Sequence, residues 1–464
     1  MKKGKTSKKT RKNFEFYREE LDELKVWYQN TNRKPLLLRG ARQVGKTSLV
    51  RMFCKKQKLD LIEVNLELHQ NLRKSFLQMD PNFVLRDVEL FLKRKVTTKT
   101  LLFIDEIQVV PEAIQGLRYF FEIRTDLPII AAGSLLEFVL SEHQFSMPVG
   151  RIDIGYLGPL KFSDFVRAKK EESLYSSIIN YVWGKEISHL EHEKLLNLYL
   201  EFLLVGGMPE AVREYLKTND LKIVKKIQKS ILDTYQADFA KYARRIPIER
   251  LEKVFKFAGF NVGKKIKYSE INPQEQSKSL MLAIDLLEKA GVLNRVYHTA
   301  ASGIPLSLGQ NEKIFKFLFL DVGLICGLLG FDHSEIMKIY FDPPSDLNLL
   351  HKGMITEQFV GQALKFQSLS EKSELFYWLR DGSTQKAEVD YVIENRLTII
   401  PLEVKAGKTG SIKSLIQFAK EKKSKVAIKI GTQSPRERSV SIDSSTLKVL
   451  YLPIYLAEKI RFIL

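Results

Sequence analysis

Cysteine is scarce, two residues in 464, and Cys54 and Cys326 sit far apart in no CxxC or Cys/His cluster. That excludes a disulfide scaffold and a thiolate zinc site, and it fits a reducing cytoplasm. Among the seven histidines, His143, His192, His298 and His351 fall in no ligand spacing, so an HExxH-type metal site has no support. No G-x-S-x-G elbow occurs, which removes the support for serine-hydrolase chemistry of that form. Long apolar runs are missing too. The most apolar stretch, 314–331, is broken by Lys316, Asp321 and three glycines, and no apolar core follows the basic N-terminus. Neither a membrane span nor a signal peptide is expected. Acidic surplus is also lacking: 74 Lys+Arg face 55 Asp+Glu, a net charge of +19. Seven of the positive charges lie in residues 1–12, and the remaining chain still carries +12. A basic body favours an anionic partner, nucleic acid first.

What is present is too long for one core and reads as several domains. Residues 1–13 are basic, without apolar period, and are expected as a disordered arm. From 14 to 160, short apolar runs (36–40, 61–66, 100–107, 128–134) alternate with helical spacing, which predicts a parallel sheet covered on both faces. Residues 161–245 carry long helical patterns, a lid. Residues 246–342 hold three helices and two apolar runs flanking a Gly/Ser/Pro-rich tip at 301–309, the order of a winged helix. After Pro343-Pro344, residues 343–464 give a helix and further strands, a last α/β module. The fold class is therefore α/β.

Gly40-Ala41-Arg42-Gln43-Val44-Gly45-Lys46-Thr47 fits G-x-x-x-x-G-K-[ST] between a strand and a helix. Glycines let backbone N–H groups wrap a triphosphate at a positive helix end, with Ser48 continuing the cradle. Lys46 reaches the β- and γ-phosphates and Thr47 supplies a hydroxyl for Mg²⁺. The apolar run ending Asp105-Glu106 supplies the complement, Asp105 for the Mg²⁺ of Mg-ATP and Glu106 to polarise the attacking water.

Through RKPLLLRGARQVGKTSL, LLFIDEIQ, IIAAGSLLE and MPVGRI, residues from about 25 to 165 resemble the P-loop domain of a large group of poorly characterised prokaryotic AAA+-type ATPases. In that group the ATPase precedes a region of unknown function, read as winged helix plus nuclease-like core. GGMPEAV at 206–212 and EVDYVI…PLEVKAG extend the resemblance over nearly the whole chain. It implies a sensor role for Ser134 beside the γ-phosphate. It also marks Arg151 as an arginine finger, on its own subunit's nucleotide or, in a homo-oligomer, on a neighbour's.

Asp390 on one strand and Glu403-Val404-Lys405 on the next give a D…ExK pattern, in which the period of two puts Glu403 and Lys405 on one face. The pattern resembles the PD-(D/E)xK, restriction-endonuclease-like fold. There Asp390 and Glu403 would bind Mg²⁺, Lys405 would orient water, and Glu357 on the preceding helix would join them. In the winged helix, 276–291 is the third helix, with Gln276, Ser277, Lys278 and Ser279 placed for phosphates or bases. The function expected is a Mg²⁺-dependent ATPase coupled to DNA binding, with nuclease activity open. The rival is an ATP-latched switch that binds a protein partner and cuts no DNA.

Overall fold

The computed structural model describes residues 16–463, apart from 135, 143–147, 149, 243–245, 332–334, 337–345, 381–386, 407–410 and 444. The arm at 1–13, His143 and Pro343-Pro344 fall outside the described residues, as does the side chain of His351.

The first unit runs α1 (Glu20–Gln29), β1 (Leu36–Arg39), α2 (Lys46–Gln57), β2 (Asp60–Asn65), α3 (Arg73–Leu77), α4 (Pro81–Leu92) and β3 (Thr100–Asp105). It continues with α5 (Pro111–Ile123), β4 (Ile129–Ala132), α6 (Leu136–Glu142) and β5 (Asp153–Tyr156). The five strands form one parallel sheet in the order β2-β3-β4-β1-β5. Period-two alternation divides its faces: Leu37, Leu102, Ile104 and Ala131 pack on α4 and α5, while Leu36, Leu38, Phe103 and Ala132 face the other way. The second face joins a core shared with the helical and C-terminal parts of the chain. β5 escapes sequence expectation because Asp153-Ile154-Gly155-Tyr156 is short and not uniformly apolar.

Five helices come next, α7 (Phe162–Ala168), α8 (Glu172–Ile179), α9 (His189–Val205), α10 (Pro209–Thr218) and α11 (Leu221–Tyr242). Ser188 opens α9 through a capping box with Glu191. Among the described residues no single helix is long and apolar enough to cross a membrane; α9 and α10 would qualify only as a pair, bent by 117°. Leu195, Phe202, Leu203 and Val205 of α9 are buried in the protein's own core.

Then come α12 (Ile248–Phe260), β6 (Lys265–Ile266), α13 (Tyr268–Ile271), α14 (Ser277–Lys289), β7 (Leu293–Thr299), β8 (Gln310–Phe319), α15 (Val322–Leu329) and α16 (Asp346–Lys365). The C-terminal strands are β9 (Phe376–Leu379), β10 (Glu388–Asn395), β11 (Thr398–Val404), β12 (Val426–Gly431), β13 (Arg436–Ile442) and β14 (Ser445–Pro453), with α17 (Lys413–Lys422) between β11 and β12. β7 and β8 form an antiparallel hairpin, with β6 on the free edge of β8. β7 also pairs in parallel with β9, giving one nine-stranded sheet, β13-β14-β12-β11-β10-β9-β7-β8-β6. Tyr156 N–H donates to the Leu369 carbonyl at 2.7 Å, tying the chain after α16 to the end of β5. Cys54 and Cys326 are buried free thiols.

Candidate functional site

Parallel strands bring the chain turns after β1, β3 and β4 to one edge of the first sheet, the edge where open α/β sheets bind ligands. Gly45, at φ 96°, caps α2 in a conformation that glycine adopts freely. Lys46 then enters the helix and turns back. Its Nζ donates to the carbonyls of Gly40 and Ala41, each at 2.9 Å, which holds the loop closed. Burial lowers the Lys46 ammonium to about 8, against the opposing pull of Glu106 and Asp105. Thr47 Oγ1 donates to Asp105 Oδ2 at 2.9 Å, joining the first turn of α2 to the end of β3. Burial raises the Asp105 carboxyl above its ordinary value.

Glu106 lies at φ 51°, in the left-handed region, which costs a side-chain-bearing residue about 1–2 kcal/mol. The turn swings its carboxylate off the strand line, where Oε2 accepts from Ser134 Oγ at 3.3 Å and from Gln108 Nε2. Glu106 and Ser134 therefore meet. In the loop Arg42 is half-buried and Gln43 exposed, and Ser48 is exposed on α2.

Five residues that contact this loop escape sequence reasoning because they are remote from it in the chain. Arg18, 2% exposed, donates to the Val44 carbonyl at 2.8 Å and to those of Gly158 and Pro159. On α11, Asp238 pairs with Arg42 at 2.9 Å and the Tyr235 hydroxyl donates to the Arg42 carbonyl at 2.7 Å. Pro209, from GGMPEA, packs beside Gly45. Gly291, just after α14, abuts Ala41. A cavity of about 420 Å³ opens between these parts, with Gly40, Ala41 and Ser134 on one wall and Glu288, Arg295 and Lys365 on the other. It flanks the phosphate loop rather than lying over Lys46 and Thr47.

Arg151 is not brought to this edge. It precedes β5, whose Asp153 pairs with Leu36 at the start of β1, so it stands at the opposite end of the strands from the loop. There its guanidinium meets Glu122 of α5 at 3.2 Å and the ring of Phe121. Its own chain's phosphate loop is out of its reach.

A second charged cluster lies on the nine-stranded sheet. Asp390 Oδ2 accepts from Val404 N–H at 2.7 Å, and Lys405 Nζ contacts Glu403 Oε1 at 2.5 Å. Glu357 of α16 joins them through a residue that no motif marks: Lys316, 1% exposed. Its Nζ lies 2.8 Å from Glu357, 2.7 Å from Glu388 and 3.7 Å from Asp390. A lysine between Phe315 and Phe317 in a buried strand was the available signal, since such a charge needs partners. Burial with nearby Asp390 pushes Glu403 up to about 7, and burial pushes Glu357 up to about 8 against the pull of Lys316. The facing carboxylates hold the Lys316 ammonium well above its ordinary value despite its burial. His192 and His298 are buried, His192 between the Tyr455 hydroxyl and the Thr432 carbonyl, and neither joins a metal-type group.

Over residues 32–166 the sequence matches the AAA domain family. Residues 32–166 are an AAA-type ATPase domain. Residues 196–335 and 352–455 match two domains of unknown function, DUF8612 and DUF4143. No curated protein matches the chain. Among solved structures, the Walker-type ATPase of Pyrococcus abyssi is 18% identical, covering 68% of this chain and 96% of its own, with a TM-score of 0.43. The Aeropyrum pernix ORC2 protein, as its ADPNP-ADP complexes, is 12% identical over 69% of this chain and 96% of its own, at 0.34. The Thermotoga maritima RuvB Holliday junction branch migration motor is 15% identical over 61% and 90%, at 0.29. Similarity at these levels supports no argument beyond the domain match.

Proposed function

We propose that this chain binds and hydrolyses ATP with Mg²⁺, and that nucleotide turnover controls how its C-terminal parts engage DNA. The observation that supports hydrolysis best is the convergence of Thr47, Asp105, Glu106 and Ser134 at one sheet edge, with Thr47 bonded to Asp105. That donor set, a hydroxyl beside a carboxylate at a phosphate loop, fits Mg-ATP: Thr47 and Asp105 would hold the ion, which when bound neutralises charge on the phosphates. Gly40 to Ser48 cradle the triphosphate, Lys46 leaves its loop carbonyls for the β- and γ-phosphates, and Glu106 orients the attacking water with Ser134 fixing its carboxylate. Arg151 serves a neighbouring copy in this reading, in a homo-oligomer, because it faces away from its own loop. The test separates binding from chemistry. Glu106→Gln should retain ATP and lower turnover by about a hundredfold, whereas Lys46→Ala should lose turnover altogether. Undiminished turnover in either variant overturns the site.

For DNA, the support is the +19 net charge and the run α12–β6–α13–α14–β7–β8, which is the order of a winged helix. Gln276, Ser277 and Lys278 are exposed at the start of α14. The D…ExK cluster makes a nuclease-like core the reading for the last module. One observation favours the rival protein-binding switch: Met281 and Leu282, 37% and 38% exposed, lie on the same helix. Retention of duplex at low salt that fades as salt rises supports the DNA reading. No retention at any salt supports the switch.

A further inference from the structure

The D…ExK pattern implies a divalent cation, and the oxygens on the second sheet allow that implication to be tested. Such an ion takes six or more oxygen ligands and needs several carboxylate oxygens turned to one point. Among the described residues no group of three or more His, Cys, Asp or Glu side chains is arranged to hold a metal ion. The carboxylates have other occupations. Asp390 Oδ2 is taken by Val404 N–H, Glu403 Oε1 by Lys405, and Glu357 Oε1 and Glu388 Oε1 by Lys316. Glu403 Oε2 is buried without a hydrogen-bond partner. One buried, unpartnered oxygen does not by itself make a divalent site.

The position among Glu357, Glu388 and Asp390 is filled by the Lys316 ammonium, which arrives on β8 from the hairpin, outside the module that carries the carboxylates. Its Nζ also lies 5.1 Å from the centre of the Tyr377 ring, so an aromatic face closes the remaining side. The residues present do not fit the metal. We infer that Lys316 is the resident cation of this cluster, its charge set against Asp390, one of the two carboxylates a nuclease of this pattern would turn to a divalent ion, and that the C-terminal module holds nucleic acid without cutting it. The inference rests on reading that module as nuclease-like. A compact ammonium with three donors satisfies three carboxylates, but it carries one charge where a metal carries two and offers no position for water. It also fastens the hairpin to the C-terminal strands, since Lys316 and its partners come from three elements of one buried cluster.

The experiment uses the full chain without nucleotide and Tb³⁺ as the probe, because Tyr377 beside the cluster would sensitise a bound ion. Parent and Asp390→Asn should give the same Tb³⁺ titration, and the parent should leave supercoiled plasmid intact with Mg²⁺ or Mn²⁺. Lys316→Met should gain about tenfold or more in Tb³⁺ affinity, lost again when Asp390→Asn is added, since removing one positive charge a few ångströms away favours an incoming cation. Tb³⁺ binding by the parent that Asp390→Asn abolishes would overturn the inference. So would plasmid nicking by the parent that Glu403→Gln abolishes. Both measurements are made on the parent fold, so they decide the matter even if Lys316→Met fails to fold. Duplex retention in EDTA is a separate arm: its loss counts against the DNA reading and leaves the Tb³⁺ comparison standing.

Discussion

Arg18 illustrates what a single residue contributes to the nucleotide edge. Its guanidinium is buried against three backbone carbonyls and 3.3 Å from Glu20, so it fixes the loop through the Val44 carbonyl. Arg18→Met would leave those carbonyls and Glu20 short of a partner. It should cost about 3 kcal/mol, read as a lowered denaturation midpoint, together with weaker ATP binding. An unchanged midpoint would show that water or a neighbour replaces the guanidinium. The residues proposed to touch phosphate were legible in the sequence because local chemistry fixes their spacing. Arg18, Asp238 and Lys316 were not, because they meet their partners across 26, 196 and 41 residues, and only the fold closes those distances.

At the scale of elements, the strands of the first sheet were readable where burial on both faces makes an apolar run, as in β3, buried at all six positions. β13 was not, because Arg-Glu-Arg-Ser-Val-Ser-Ile is mostly exposed on a sheet edge and shows no alternation of burial. α14 was readable from its period. Its position was not: its end, at Gly291, rests on Ala41 of the phosphate loop while its start is exposed. One helix thus spans from the nucleotide edge to the surface proposed for DNA. Lys278→Glu tests that surface. It should weaken duplex retention and reduce the slope of log affinity against log salt by about 1, with ATP turnover in the absence of DNA preserved. An unaltered slope would place the phosphate contacts elsewhere.

For the whole molecule, burial shared across modules raises several carboxyls. The carboxyl of Asp321, which accepts from Gly207 N–H, is raised to about 6 and that of Glu458 to about 7, with burial the largest cause in both cases. A carboxyl raised in the folded state binds its proton more tightly there than in the unfolded chain. Its stabilising contribution is complete below the unfolded value and is lost as pH climbs through the folded one. Thermal midpoints should therefore fall between pH 6 and pH 8, and Glu458→Gln should flatten that fall. A midpoint that rises over the same interval would contradict the placement of these groups. The joining of β7 to β9 in one sheet was not legible in the sequence, since it depends on residues from 297 to 377 meeting in space.

The central claim is that ATP turnover at the Lys46 loop is coupled to nucleic acid held by the C-terminal parts. Its most direct measurement is phosphate release from Mg-ATP by the full chain, titrated with duplex DNA at low and at high salt, with Lys46→Ala as the blank. The account predicts turnover that changes saturably with duplex at low salt, loses that response at high salt and is absent in Lys46→Ala. Turnover in the parent that is identical at every duplex concentration would contradict the coupling and leave the protein-binding switch as the better account.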